Sequence, residues 1–374
     1  MNHTPPRSAS GMNRSLDRGI DGRYLVIGSG APATGPETGL HRVRRDEAGT
    51  LTPHQRLALD QPSYVVADTR RGIVHAVVEQ DVGAIVSLAL DDRGGLRTLT
   101  TVATGGALPC HVALHPDGTH LFVAHYGDGA LSVLPLAADG GIATTEPVQT
   151  VSHPGRLPGN GLLPGPHAHM AAPSPDGRFV LSTDLGTDRI YVYAFEPESG
   201  NLSPHQVVEL SPGSGPRHLV FHPLQPYVYV INELASSVVV CAWDRRAGRL
   251  APGPVLPARE DPASTTANYP AAIRISADGR YVYTTNRGDD TIAVHAVLAE
   301  GASLELRATV SCGGSWPRDI CLSPDGLLLY CANQRSDTVT VFRVDPNSGV
   351  PFPTGQPFPV TAPTSVLPTP GYGG

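Results

Sequence analysis

Residues 108–126 read LPCHVALHPDGTHLFVAHY. An alternating stretch, His111 to His115, runs into Pro116-Asp117-Gly118, a turn signal, and a second hydrophobic stretch, His120 to Ala124, follows it. The phrase returns at 166–185 (PHAHMAAPSPDGRFVLSTDL), 215–234 (GPRHLVFHPLQPYVYVINEL), 269–287 (YPAAIRISADGRYVYTTNR) and 316–334 (WPRDICLSPDGLLLYCANQ). A degenerate copy runs from Gln61 to Asp68, and a half copy starts at Asp21. The anchors near 21, 69, 117, 176, 225, 278 and 325 make seven units, spaced by roughly 45–60 residues. One such unit is too flat to bury its own face, so the units must pack on one another.

Within the quoted unit a third strand is expected over Ala130 to Leu136 and a fourth over Ile142 to Val151. Val, Ile, Leu, Tyr and Thr dominate, and no helical period of useful length appears. Four short antiparallel strands, repeated seven times, describe an all-β, seven-bladed β-propeller. The chain starts out of phase. Tyr24 to Ser29, Leu40 to Arg44 and Leu51 to Leu59 supply second, third and fourth strands without a first. Thr364 to Leu367 is the candidate for the missing inner strand, which would close the ring and remove its open edge. The expected layout is a disordered tail over 1–19, a propeller over 20–367 and a flexible tail over 368–374.

Composition narrows the function. Hydrophobic residues make 40% and charged residues 16%, with 41 Gly and 37 Pro, a turn-rich globular profile. All 27 basic residues are arginine, which excludes chemistry that needs a lysine amine. A net charge of −7 without a basic run argues against nucleic acid as a partner. No apolar run approaches the roughly 18 residues of a membrane span. The first twenty residues lack the apolar core of a secretion signal. The five cysteines form no CxxC and read as small buried hydrophobes of a reducing compartment. A cytoplasmic protein, monomeric or weakly self-associating, is expected.

In propeller geometry, the starts of inner strands and the ends of second strands meet at one mouth of the channel. Here they carry His111, His167, His169, Arg217, His218 and Arg318, and then His125, Asp184, Asn232, Glu233, Asn286, Arg287, Asn333, Gln334 and Arg335. Such residues also tie blades and cap turns. Yet His169, Arg217, Glu233 and Arg287 together bring a base, a carboxylate and two anion-binding cations to one cavity. Two long irregular stretches, His153 to Pro166 and Ala258 to Asn268, precede inner strands and should wall the site. No dinucleotide fingerprint, P-loop or G-x-S-x-G elbow is present, and no cofactor is expected. His167-x-His169 would place two imidazoles on one strand face, but without a third ligand no metal is expected.

At these residues the chain resembles the seven-bladed propeller lactonases, a family of propeller-type 6-phosphogluconolactonases and carboxy-cis,cis-muconate cyclases. The resemblance lies in PCHVALHPDG (109–118), GPHAHMAAPSPDGRFVLSTDLGTDRIYVY (165–193), GPRHLVFHP (215–223), INELASSVVV (231–240), TTNRGDDTIAV (284–294) and CANQRSDTVTVF (331–342), and spans about residues 20–367. It implies catalytic roles for His169, Glu233, Arg217 and Arg287, with His169 or Glu233 as the base and the arginines on a carboxylate or oxyanion. His111, His167, His218, Asn286, Arg318 and Gln334 are the candidate substrate-binding residues. The implied activity is hydrolysis of a small anionic sugar lactone, 6-phosphogluconolactone foremost. A muconate-type cyclase and a non-enzymatic binding propeller are the alternatives. The chain departs from the family at His125, where relatives carry Asn.

Overall fold

The computed structural model describes residues 23–30, 38–91, 94–154 and 164–369. The expected tail over 1–19, residues 370–374 of the expected tail over 368–374, residues 21–22 of the half copy and 155–163 of the first long insertion lie outside the described residues.

Seven antiparallel sheets form a ring, and each runs inner to outer in chain order except the first. In blade 1 the inner strand is Pro363–Thr369, followed by Tyr24–Ser29, Leu40–Arg45 and Leu51–Leu57. Tyr24 pairs with Thr369 and Gly28 with Ser365, so the two ends of the chain share one sheet, as the phase of the repeats requires. The strand continues to Thr369, two residues past the expected boundary. The inner strands of blades 2 to 7 are Val65–Asp68, Pro109–Leu114, Ala168–Pro173, Pro216–Phe221, Tyr269–Ile275 and Pro317–Leu322.

Two outer strands differ from expectation. In blade 3 the fourth strand is only Gln149–Ser152, with a single Leu136–Ile142 bridge before it. The intervening segment turns at Asp139-Gly140-Gly141, and Pro147 has no N–H to give to a ladder. In blade 7 the outer edge is split into Pro351–Pro353 and Phe358–Pro359, both pairing with Thr338–Val344.

The recurrent Asp-Gly turn is structural. Asp176 accepts from the Ser174 hydroxyl at 2.6 Å and Asp325 from the Ser323 hydroxyl at 2.5 Å, each closing the hairpin from inside. The glycines that follow these and the sister turns, Gly118, Gly177, Gly279 and Gly326, have φ between 70° and 78°, a conformation that favours glycine.

The core is divided. Seven apolar clusters are found among the described residues, one at each interface between neighbouring blades. The closure interface packs Leu25, Ile27 and Val366 of blade 1 on Tyr330, Ala332 and Val339 of blade 7. At the rim, glutamine side chains imitate a strand pairing between blades. Gln206 Nε2 donates to the Leu250 carbonyl at 2.9 Å and its Oε1 accepts from the Leu250 N–H at 2.9 Å. Gln55 clasps Leu96, and Gln149 clasps Leu202, in the same way.

Val366 is 1% exposed and belongs to the last strand. Val366→Asp would bury an unpaired charge at the closure and lower the unfolding free energy by more than about 3 kcal/mol. Urea unfolding checks this, and a loss below about 1 kcal/mol contradicts a closure that carries stability.

Candidate active site

An irregularity in the inner strands builds the site. In blade 3 Pro109 pairs with His125 and His111 with Ala124, which leaves Cys110 as an extra residue. The same skip leaves His169 in blade 4, Arg217 in blade 5 and Arg318 in blade 7. In blade 6 it falls at Ala271-Ala272. A bulge of this kind re-aims a side chain and bends the strand. Here it presents Cys110, His169, Arg217 and Arg318 at one level of successive blades. The residue that follows each second strand's pairing partner completes the mouth: Tyr126, Glu233, Arg287 and Gln334.

The carboxylate of Glu233 is held between two cations. Its Oε2 lies 2.6 Å from Arg287 Nη2 and 3.0 Å from Arg217 Nε. The second contact is one of charge, because that N–H is not aligned for a hydrogen bond. Both arginines are anchored from behind, Arg217 Nη1 on the Ala271 carbonyl at 2.6 Å and Arg287 Nε on the Tyr269 carbonyl at 2.8 Å. Their side chains are 3% and 6% exposed, whereas that of Glu233 is 17% exposed. Glu233 therefore forms the floor of a cleft of about 500 Å³, walled by Tyr126, Arg259, Asn268 and Tyr269. The second long stretch, Ala258 to Asn268, lies where the sequence put it, and a 2.5 Å Arg259–Asp289 ion pair ties it to blade 6.

His169 is buried, with its ring 5.7 Å from Tyr126 and 5.2 Å from His218. Burial, then Arg217 and Arg318, push its pKa well below the usual imidazole value, so it is neutral at physiological pH. Burial works against the charge of Arg217 and Arg287, and Glu233 works in its favour. Arg318, half-buried on blade 7, raises the positive potential at both arginines.

The other expected residues divide into three groups. His111 and His218 lie deeper, their rings 5.4 Å apart and both against Tyr64, whose hydroxyl accepts from Arg274 at 3.3 Å. Gln334 is buried, and its N–H donates to the Trp316 carbonyl. His167 and Asn286 are tied into the scaffold. His167 Nδ1 donates to the Tyr126 carbonyl at 2.7 Å, and Asn286 bonds to Ala258, Thr291 and Asn268 through both ends of its amide. His167 also precedes the strand that begins at Ala168, and His169 is the bulged residue. The two imidazoles are therefore not an i, i+2 pair on a regular strand, which corrects the simple alternation assumed from sequence. Among the described residues no three His, Cys, Asp or Glu side chains are grouped as metal ligands. His125 fills the place of Asn232, Asn286 and Asn333 by donating from Nδ1 to the Ala130 carbonyl.

Tyr126 was not among the expected site residues, although aligning the repeats puts it in register with Glu233 and Arg287. Tyr64 and Arg274 were not singled out from sequence; for Arg274 the irregularity at Ala271-Ala272 breaks the alternation that would have aimed it.

Buried neutral histidines give the fold a pH signature. Burial lowers His75 and His295 to about 4, and burial with Arg274 and Arg217 lowers His111 to about 3. His169 and His218 are also well below 6.5. Below that value the unfolded chain binds protons that the folded chain refuses. Stability present above about pH 6.5 is thus lost on acidification, by up to roughly 1.4 kcal/mol per pH unit for each group. The urea midpoint should fall steadily between about pH 6.5 and 4.5, and a flat or rising midpoint contradicts the burial of neutral imidazoles.

A family model described as "Lactonase, 7-bladed beta-propeller" matches residues 25–368. The 6-phosphogluconolactonase of Bacillus subtilis (strain 168) is 31% identical over 291 residues, covering 77% of this chain and 82% of the relative. The periplasmic gluconolactonase of Pseudomonas aeruginosa superposes with a TM-score of 0.84 at 32% identity, over 92% of this chain and 98% of its own. A putative 6-phosphogluconolactonase from Bacteroides uniformis superposes at 0.83 with 31% identity, over the same shares. No helix among the described residues is long and apolar enough to cross a membrane. With its repeats, its closed ring and its matched length, the chain belongs to the seven-bladed β-propeller lactonases.

Proposed function

We propose that the protein opens the ring of a phosphorylated sugar lactone, with 6-phosphogluconolactone as substrate, at the mouth formed by blades 4 to 7. The observation that carries this reading is the charge balance. Arg217 and Arg287 clasp one carboxylate, Glu233, and Arg318 adds its charge at both arginines, beside a neutral imidazole. Such a cavity attracts an anion and stabilises negative charge that develops on a carbonyl oxygen.

Hydrolysis needs a water deprotonated as it attacks the lactone carbon, an oxyanion sheltered in the tetrahedral intermediate, and a proton for the departing ring oxygen. His169 is neutral and so has a free lone pair to take the water proton. Its depressed basicity makes it a weak base but a ready donor when the ring oxygen leaves. Arg217 and Arg287 face the oxyanion, with their orientation fixed by Glu233 and by the carbonyls of Ala271 and Tyr269. The products are one hydroxy acid, ionised at neutral pH, and one proton released to solvent. All these residues come from one chain, so a monomer suffices. The five unpaired cysteines support a cytoplasmic setting.

Arg217→Ala and His169→Ala should each lower kcat/KM for 6-phosphogluconolactone by about 10²-fold or more, read by pH-stat. Full turnover in either variant overturns the assignment. No turnover of any sugar lactone by the unaltered protein overturns the activity.

A further inference from the structure

Several arginines of this molecule have a carboxylate partner. Arg71, Arg178, Arg189, Arg217, Arg259, Arg274, Arg280 and Arg287 each lie within ion-pair distance of one. Arg318 and Arg335, both on blade 7 and both at the mouth, have none, and their guanidinium groups make no hydrogen bond within the described residues. Each also acts electrostatically on Arg287, so their charge is directed at the site.

Their setting is built. Arg335 lies over the Trp316 indole, with its guanidinium carbon 3.3 Å from the ring centre, and Arg287 approaches the same indole at 5.5 Å. Trp316 has φ of 65°, a conformation that is strained for a bulky side chain. It is held there by Asp290, which accepts from its N–H at 2.6 Å, and by the Gln334 N–H, which donates to its carbonyl at 3.0 Å. The strain serves to put an aromatic shelf under a cation that has no protein counter-ion.

We infer that Arg318 and Arg335, the latter positioned by Trp316, form an anion subsite on blade 7 that takes the phosphate of the substrate, beside the Arg217–Glu233–Arg287 group that faces the reacting carbonyl. This rests on the lactonase reading for its placement relative to the reaction, but not for the binding itself. Phosphate suits the pair because a dianion needs two cations, and guanidinium forks match phosphate oxygens. In a chain without lysine, arginine is the only permanent cation available for the task. Trp316 is a positioning residue here, since it acts through Arg335.

Calorimetry with inorganic phosphate, and steady-state kinetics on 6-phosphogluconolactone beside gluconolactone, test the subsite. Arg318→Gln and Arg335→Gln should each weaken phosphate binding about tenfold or more. Each should raise KM for the phosphorylated lactone at least tenfold more than KM for the unphosphorylated one. Trp316→Leu should repeat the Arg335→Gln pattern in KM with little change in kcat. Loss of phosphate binding in the arginine variants supports the subsite even where no lactone turns over, in which case the proposed activity alone fails. Phosphate binding unchanged in the Arg318→Gln, Arg335→Gln double variant overturns the subsite, as does an equal KM increase on both lactones. His169-dependent turnover accompanied by either of these results leaves the proposed activity standing. Arg335 is solvent-exposed, so its variant should fold as the unaltered protein does.

Discussion

Everything in this molecule hangs on seven flat sheets having no way to bury their faces except against one another. The ring meets that constraint only if the last interface is as well made as the others, and its last inner strand comes from the far end of the chain. Pairing of Tyr24–Ser29 with Pro363–Thr369 supplies the missing ladder, and Leu25, Ile27 and Val366 supply the missing core. Closure fixes the radius of the channel, and the channel fixes which strand ends can meet. Long-range pairing of this kind carries a high loop-closure cost, which neighbouring apolar interfaces and the glutamine clasps at the rim offset together.

The site follows from a second constraint, local and repeated. A regular inner strand would send alternate side chains into the channel and the rest into the blade interfaces. The bulge at Cys110, His169, Arg217 and Arg318 breaks that alternation at one level in four blades. Neighbouring polar groups are thereby forced together in a buried setting. The result is Glu233 with two arginines, imidazoles held neutral, and two further arginines left without counter-ions. An uncompensated positive cavity costs stability, and its persistence is what ties the geometry to an anionic ligand.

The architecture was largely legible in the sequence because turn chemistry is local. Pro-Asp-Gly needs a left-handed glycine and a capping aspartate wherever it occurs, so each copy marked a hairpin, and the spacing of the copies gave the blade count. Closure by the terminal strand was legible from phase alone. The short outer strand of blade 3 was not, because Pro147 and the turn at Asp139 interrupt a run whose composition is strand-like. The grouping of Arg217, Glu233 and Arg287 was legible from repeat position, while its partners were not. Arg274 follows an irregularity in its inner strand that leaves no mark in composition. The strained backbone of Trp316 likewise depends on Asp290, a residue in a different blade.

A crystal structure of the protein with 6-phosphogluconate, the product of the proposed reaction, tests the account most directly. The carboxylate should contact Arg217, Arg287 and His169, and the phosphate should reach Arg318 and Arg335 beside Trp316. Product bound away from Glu233, for example in the outer groove between Arg42 and Phe358, would contradict it.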